Sequence, residues 1–299
     1  MKKTPIIFPL FGYDDLVNKM NESLGVEVGK INLHQFPDEE TVVTIHSNVS
    51  KRDVIFVASL DKPNTKILPL LFSADTARKL GASKIILISP YLAYMRQDKQ
   101  FEPGQGITSD YFAKLISIYF DGLITVDPHL HRWHSLNDIY AIPTKILHET
   151  GGIAHWIKQN VINPILIGPD VESMQWVSEI AKKSEAPFLI LTKTRKGDRS
   201  VEISIPNIER YQQSTPVLID DIISTGVTMI ETVRHLRSLN RKPVVCIAVH
   251  AVFANHAYQD LLQAGAGKIV TCNTIIHPSN TIDVTNLISD SIKEMIKVS

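Results

Sequence analysis

PVLIDDIISTGVTM, residues 216–229, changes character halfway along. Val217, Leu218 and Ile219 read as a buried strand, and MIETVRHLRSL (229–239) reads as a helix with Met229, Val233, Leu236 and Leu239 on one face. Between them stand two adjacent acids, Asp220 and Asp221, and then Ser224-Thr225-Gly226-Val227-Thr228. Backbone N–H groups and hydroxyls in a tight turn at a helix N-terminus cradle an anion, assisted by the helix dipole. The two carboxylates repel that anion, so they suit neighbouring hydroxyls or a cation bound beside it. A phosphate on one side and a diol on the other describe a sugar phosphate such as ribose 5-phosphate. The plainer alternative is a strand–turn–helix with a capping hydroxyl and two solvated acids.

The same strand-then-helix alternation runs outward in both directions. Apolar runs recur at 54–59, 85–90, 123–127, 164–168, 188–191, 217–220, 244–249 and 268–272. Runs apolar on both faces are those of parallel strands covered by helices. Helix-period segments separate them at 67–81, closed by Gly81, and at 109–120 and 174–184. This alternation predicts an α/β fold of mostly parallel sheets flanked by helices. So many strands exceed one comfortable sheet, and Pro143, Gly151, Gly152 and Pro164 punctuate the middle. Two α/β domains are expected, 1–147 and 148–283, built as an internal duplication. The closing amphipathic stretch, 284–299, is expected as a docked helix, and its pattern leaves open whether it packs on the first domain or the second.

The chain has 299 residues, 44% hydrophobic and 21% charged, with formal net charge +0 and a pI near 7.2. That balance gives no global field for nucleic acid or an anionic membrane. No run approaches the ~18 apolar residues of a membrane span. The apolar patch after Lys2 and Lys3 is broken by Pro9 and followed by Asp14 and Asp15, unlike a leader peptide. Cys246 and Cys272 lie in apolar runs and read as small buried residues of a reduced compartment. A cytoplasmic location is expected.

Ligands of such sheets bind at the carboxyl ends of the strands. Asp127-Pro128-His129 follows one strand, with His131 and His134 nearby, and Pro169-Asp170 follows another. His129 stands where a ligand-facing residue belongs. Asp127, Asp170, Asp220 and Asp221 favour a hard cation, Mg²⁺ among phosphates, over a transition metal. SPYLAYMRQDKQ (89–100) carries Arg96 and Gln97 past a strand end. LTKTRKGDRS (191–200) carries Lys193 and Arg195 on alternate positions before Gly197. Cations on such a segment cover charge that develops in phosphoryl-type transfer. Neither a Walker A loop nor G-x-G-x-x-G is present.

Together these stretches resemble, in order along nearly the whole chain, the ribose-phosphate diphosphokinases, whose fold pairs two phosphoribosyltransferase-type domains. LGVEVGKINLHQFPDEETVV (24–43) resembles the family's adenine-contacting region, with Phe36, Asp38 and Glu40 reaching a neighbouring subunit's ATP. YMRQDK (94–99) is similar to its ATP segment, which implies ATP roles for Arg96 and Gln97. VDPH (126–129) places His129 at a nucleotide and metal position, and GPD (168–170) places Asp170 at a metal and ribose position. KTR (193–195) resembles the catalytic Lys-x-Arg, and LIDDIISTGVT (218–228) the ribose 5-phosphate loop. Ser224 stands where the family prefers an acid, and 101–109 and 171–174 also depart from it.

The resemblance implies transfer of the β,γ-diphosphate of ATP to the anomeric hydroxyl of ribose 5-phosphate, with Mg²⁺, in a homo-oligomer of two or more copies. Two other readings stand beside it. One is a non-catalytic relative bound to active synthases, which would lack the Lys-x-Arg pair. The other is a phosphoribosyltransferase, which needs only one such domain.

Overall fold

The computed structural model describes residues 4–130, 132–196 and 200–298, without the side chains of 193–196, 200–203 and 296–298. Two compact units emerge, one of residues up to Leu147 together with those from Thr285 onward, the other of His148–Val284. The first runs β1 (Ile6–Pro9), α1 (Asp14–Leu24), β2 (Glu27–Val28), β3 (Ile31–Gln35), β4 (Thr41–Ile45), β5 (Asp53–Val57), α2 (Pro63–Lys79), β6 (Lys84–Ser89), α3 (Thr108–Tyr119), β7 (Gly122–Val126) and β8 (Thr144–Leu147). The second runs α4 (Thr150–Asn160), β9 (Pro164–Gly168), α5 (Met174–Ser184), β10 (Phe188–Ile190), β11 (Thr192–Lys196), β12 (Ser200–Ser204), β13 (Thr215–Ile222), α6 (Val227–Ser238), β14 (Val244–His250), α7 (Ala257–Ala264), β15 (Ala266–Cys272) and β16 (Asn280–Ile282). The last helix, α8 (Thr285–Val298), returns to the first unit.

The two sheets repeat one order. The first is β2-β1-β5-β6-β7-β8 and the second β10-β9-β13-β14-β15-β16, with every pairing parallel. In each unit an antiparallel hairpin, β3–β4 or β11–β12, interrupts the chain after the second strand and stands outside the main sheet. Duplication is therefore visible as topology, down to the inserted hairpin.

The sheet interiors explain the apolar runs. Val54–Val57 and Gly122–Val126 are buried throughout, because helices cover both faces. Each fully buried Ile, Leu or Phe of this kind contributes about 1.5–3 kcal/mol. Phe8 and Phe56 stack across β1 and β5 with ring centroids 5.5 Å apart. By contrast β3 and β4 alternate half-buried with exposed positions, one face being supplied by α2.

Helix ends differ from expectation in physical detail. α2 starts a turn before residue 67, because Pro63 at its first position needs no N–H partner there. Gly81 closes it as expected, with φ +90 and its N–H donated to the Arg78 carbonyl at 3.0 Å. Leu239 does not join the apolar face of α6. The helix ends at Ser238, and Leu239 is 44% exposed while Met229, Val233 and Leu236 are buried. α8 packs against α1, and Ile288, Ile292, Val17 and Met20 are fully buried. Cys246 and Cys272 are buried and unbridged, and burial pushes the Cys246 thiol up to about 12. No described helix is long and apolar enough to cross a membrane.

Candidate functional site

In the second unit β13 lies between β9 and β14, and its apolar run delivers Asp220 at the carboxyl end. The Asp220 carboxylate accepts the Asp221 N–H at 2.9 Å. Its carboxyl is held well above the usual range, first by burial, then by the charge of Asp221 and a hydrogen bond from it, with a further push from Asp170. Asp170 leaves the neighbouring strand β9 and accepts the Ser173 N–H at 2.9 Å, which folds the turn into α5. Three acids from adjacent strands thus load one sheet edge with negative charge. Among the described residues no group of three His, Cys, Asp or Glu side chains is disposed to hold a metal by itself. The charge surplus fits a cation that takes its remaining oxygens from a substrate. Asp127 belongs to the first unit.

The chain then turns into α6 through Gly226, at φ +69. A Cβ there would find its nearest atom, Ile230 Cδ1, at 3.6 Å, so the backbone angle rather than crowding requires glycine. Thr225 and Val227 are exposed, and Ser224 and Thr228 are half-buried around the turn. Behind it the loop after β14 makes contacts the sequence reading missed. The N–H of Ile223 donates to the His250 carbonyl at 3.2 Å. Phe253 donates to the Ile223 carbonyl at 2.8 Å and Ala254 to the Ser224 carbonyl at 3.0 Å. The available signal was Asn255, five residues past the end of β14, a residue type that favours turns.

In the first unit Phe36, Asp38 and Glu40 share the tip of the β3–β4 hairpin. Phe36 N–H donates to the Glu40 carbonyl at 2.8 Å, and Glu39, with φ +70, donates to the Phe36 carbonyl at 2.9 Å. The Asp38 carboxylate accepts the Glu40 N–H at 3.3 Å. Phe36 is 43% exposed and meets His34 edge-on, centroids 4.8 Å apart. Arg96 is exposed past β6. Gln97 turns to its own loop, its amide donating to the Lys99 carbonyl at 3.3 Å and to Gln105 Oε1 at 3.4 Å. Gln105 Oε1 also accepts the Phe101 and Glu102 amides at 3.2 Å, which organises the divergent 101–109 stretch.

His129 is half-buried past β7. Just before it Asp127 is buried at φ +34, a backbone state that aspartate tolerates when its surroundings hold it. His134 is exposed, and His131 lies outside the described residues. Lys193 and Arg195 lie in β11, opposite Ile203 and Val201 of β12. Their side chains, and Gly197, lie outside what is described.

Comparison with known proteins agrees with this arrangement. Residues 6–119 match the N-terminal domain of ribose phosphate pyrophosphokinase, and residues 136–286 match the phosphoribosyl transferase domain. A ribose-phosphate pyrophosphokinase of Saccharolobus solfataricus is 32% identical over 290 residues, covering 94% of this chain and 97% of its own. One from Lactococcus lactis is 27% identical, covering 96% of this chain and 91% of its own. The crystal structure of phosphoribosylpyrophosphate synthetase from Mycobacterium smegmatis shares the fold, with TM-score 0.87 at 22% identity over 99% of this chain and all of that one. Paired parallel sheets and matched models define a protein of two phosphoribosyltransferase-type units. The chain belongs to the ribose-phosphate pyrophosphokinase family.

Proposed function

We propose that this protein transfers the β,γ-diphosphate of ATP to the anomeric hydroxyl of ribose 5-phosphate, giving phosphoribosyl pyrophosphate and AMP. The observation that carries this reading is the pair Asp220–Asp221 directly before the Gly226 turn at the N-terminus of α6. Amides and hydroxyls of Ser224, Thr225, Gly226, Val227 and Thr228 take the 5-phosphate. Asp220 and Asp221 orient the ribose hydroxyls.

The domain assignment follows from this. The first unit is the ATP side, with Arg96, Gln97 and His129 on the nucleotide. The second is the ribose 5-phosphate side. The exposed hairpin tip bearing Phe36, Asp38 and Glu40 serves the ATP site of a neighbouring copy, so the active form is a homo-oligomer. Light scattering of the purified protein checks that state.

The anomeric oxygen forms a bond to Pβ while the bridge from Pα to Pβ breaks, its electron pair leaving on AMP; the hydroxyl proton passes to solvent. Lys193 and Arg195 stabilise charge on the transferred group and on departing AMP. His129 would hold Mg²⁺ on the nucleotide side, where the ion when bound neutralises the triphosphate, and Asp170 would hold a second metal on the ribose side. Positioning of the two substrates is the main contribution of the protein.

The test is AMP release from ATP and ribose 5-phosphate with Mg²⁺. Lys193→Ala is expected to lower that rate about 10²–10³-fold with the fold retained. Formation of ADP or inorganic phosphate by the unaltered protein refutes the proposal. No AMP formation at all would instead favour the non-catalytic reading.

A further inference from the structure

The loop between β14 and α7 carries an unusual backbone. Phe253 has φ +36 and Asn255 φ +55, two left-handed residues within three positions. For a bulky side chain such a state persists only where its surroundings hold it. Here aromatic rings hold it. The Phe253 ring lies 5.2 Å from that of Tyr258 on α7 and 4.6 Å from that of His277, and Tyr258 and His277 are 4.9 Å apart. His277 is anchored in turn. Its Nδ1 accepts the Ser279 N–H at 3.2 Å and lies 2.7 Å from Ser279 Oγ. Ser279 Oγ reaches Thr271 Oγ1 of β15 at 2.7 Å.

The braced loop acts on the turn through two bonds already described, from Phe253 N–H to the Ile223 carbonyl and from Ala254 N–H to the Ser224 carbonyl. A trans peptide is planar, so each carbonyl points opposite to the N–H that follows it. Pinning the carbonyls of 223 and 224 therefore directs the amides of Ser224 and Thr225 away from the brace. Among the described residues neither amide donates to a protein acceptor.

We infer that the Phe253–Tyr258–His277 cluster presets the Ser224 and Thr225 amides for the sugar phosphate. Phe253 and His277 are thus positioning residues for ribose 5-phosphate and not for ATP, an inference that rests on the proposed function. His277→Ala removes the ring and His277→Phe keeps it. In the full-length protein His277→Ala should raise KM for ribose 5-phosphate about tenfold with KM for ATP within about twofold, and His277→Phe should restore it. Phe253→Leu should repeat the split. Amide hydrogen exchange across 220–230 should quicken in His277→Ala, with β9 unchanged. Equal rises in both KM values, or unchanged exchange across 220–230, overturn the inference. If the unaltered protein makes no AMP, the proposed function falls, and the exchange measurement still decides whether the brace exists.

Discussion

Gly226→Ala isolates the backbone requirement of the phosphate turn. At φ +69 an L-residue pays about 1–2 kcal/mol for left-handed geometry. Crowding adds nothing, because the new Cβ would meet Ile230 Cδ1 at 3.6 Å and Ala257 Cβ and Ile223 Cγ2 at 3.7 Å, ordinary contact distances. For a unit of this size each kcal/mol lowers Tm by about 2–4 °C, so a fall of about 2–8 °C is expected by calorimetry. The chain can escape that strain only by rotating residue 226 out of the left-handed region. Rotation would turn the amides at the start of α6 away from the anion and raise KM for ribose 5-phosphate. A variant whose Tm stays within about 1 °C of the unaltered protein and whose KM is also unchanged would refute the reasoning.

Asp220→Asn should raise stability while lowering activity. The folded-state pKa of Asp220 lies above its ordinary 3.8, so the folded chain holds that proton more tightly. The contribution is full below the unfolded value and is lost as pH rises through the folded one. The variant should therefore melt higher than the unaltered protein at pH 8, with the gap closing below about pH 4. Arg52→Met should cost about 2–4 kcal/mol in denaturant unfolding, on the order of 1 kcal/mol for each backbone carbonyl that loses its donor. Arg52, 7% exposed as a residue, donates from its guanidinium to the carbonyls of Thr4, Pro5 and Asn48 and to Glu27, which would all lose their partner. Arg96→Ala should raise KM for ATP about tenfold and leave KM for ribose 5-phosphate unchanged in steady-state assays. Gly168→Ala should disturb the Asp170 turn by crowding, since its Cβ would stand 2.8 Å from Ile190 Cδ1 and Ser173 Oγ. Weaker sugar-phosphate binding checks it.

The sheets were legible because burial on both faces leaves a direct mark, as in Val54–Val57 or Ile85–Ile88. The β3–β4 hairpin left no such mark. His34 and Gln35 are exposed, and its buried face exists only because α2 covers it. Asp170 and Asp220 were each found at a strand end, but their closeness depends on β9 pairing with β13 across an intervening strand and hairpin. Ser224 stood out as a departure at its side chain. Its carbonyl, held by Ala254, was invisible, since a backbone bond carries no residue signature. The ring of Phe253 meets that of His277, 24 positions away in sequence.

The return of α8 to α1 has a consequence for how the molecule is made. The second unit is one continuous stretch, His148–Val284, whereas the first is split around it. As the chain leaves the ribosome, Val17 and Met20 on α1 wait for Ile288 and Ile292, which emerge only after the whole second unit. The later unit can complete its core before the earlier one does. A released chain truncated near residue 284 would therefore keep every element of the second unit, while the α1 face of the first stayed open to chaperones and proteases.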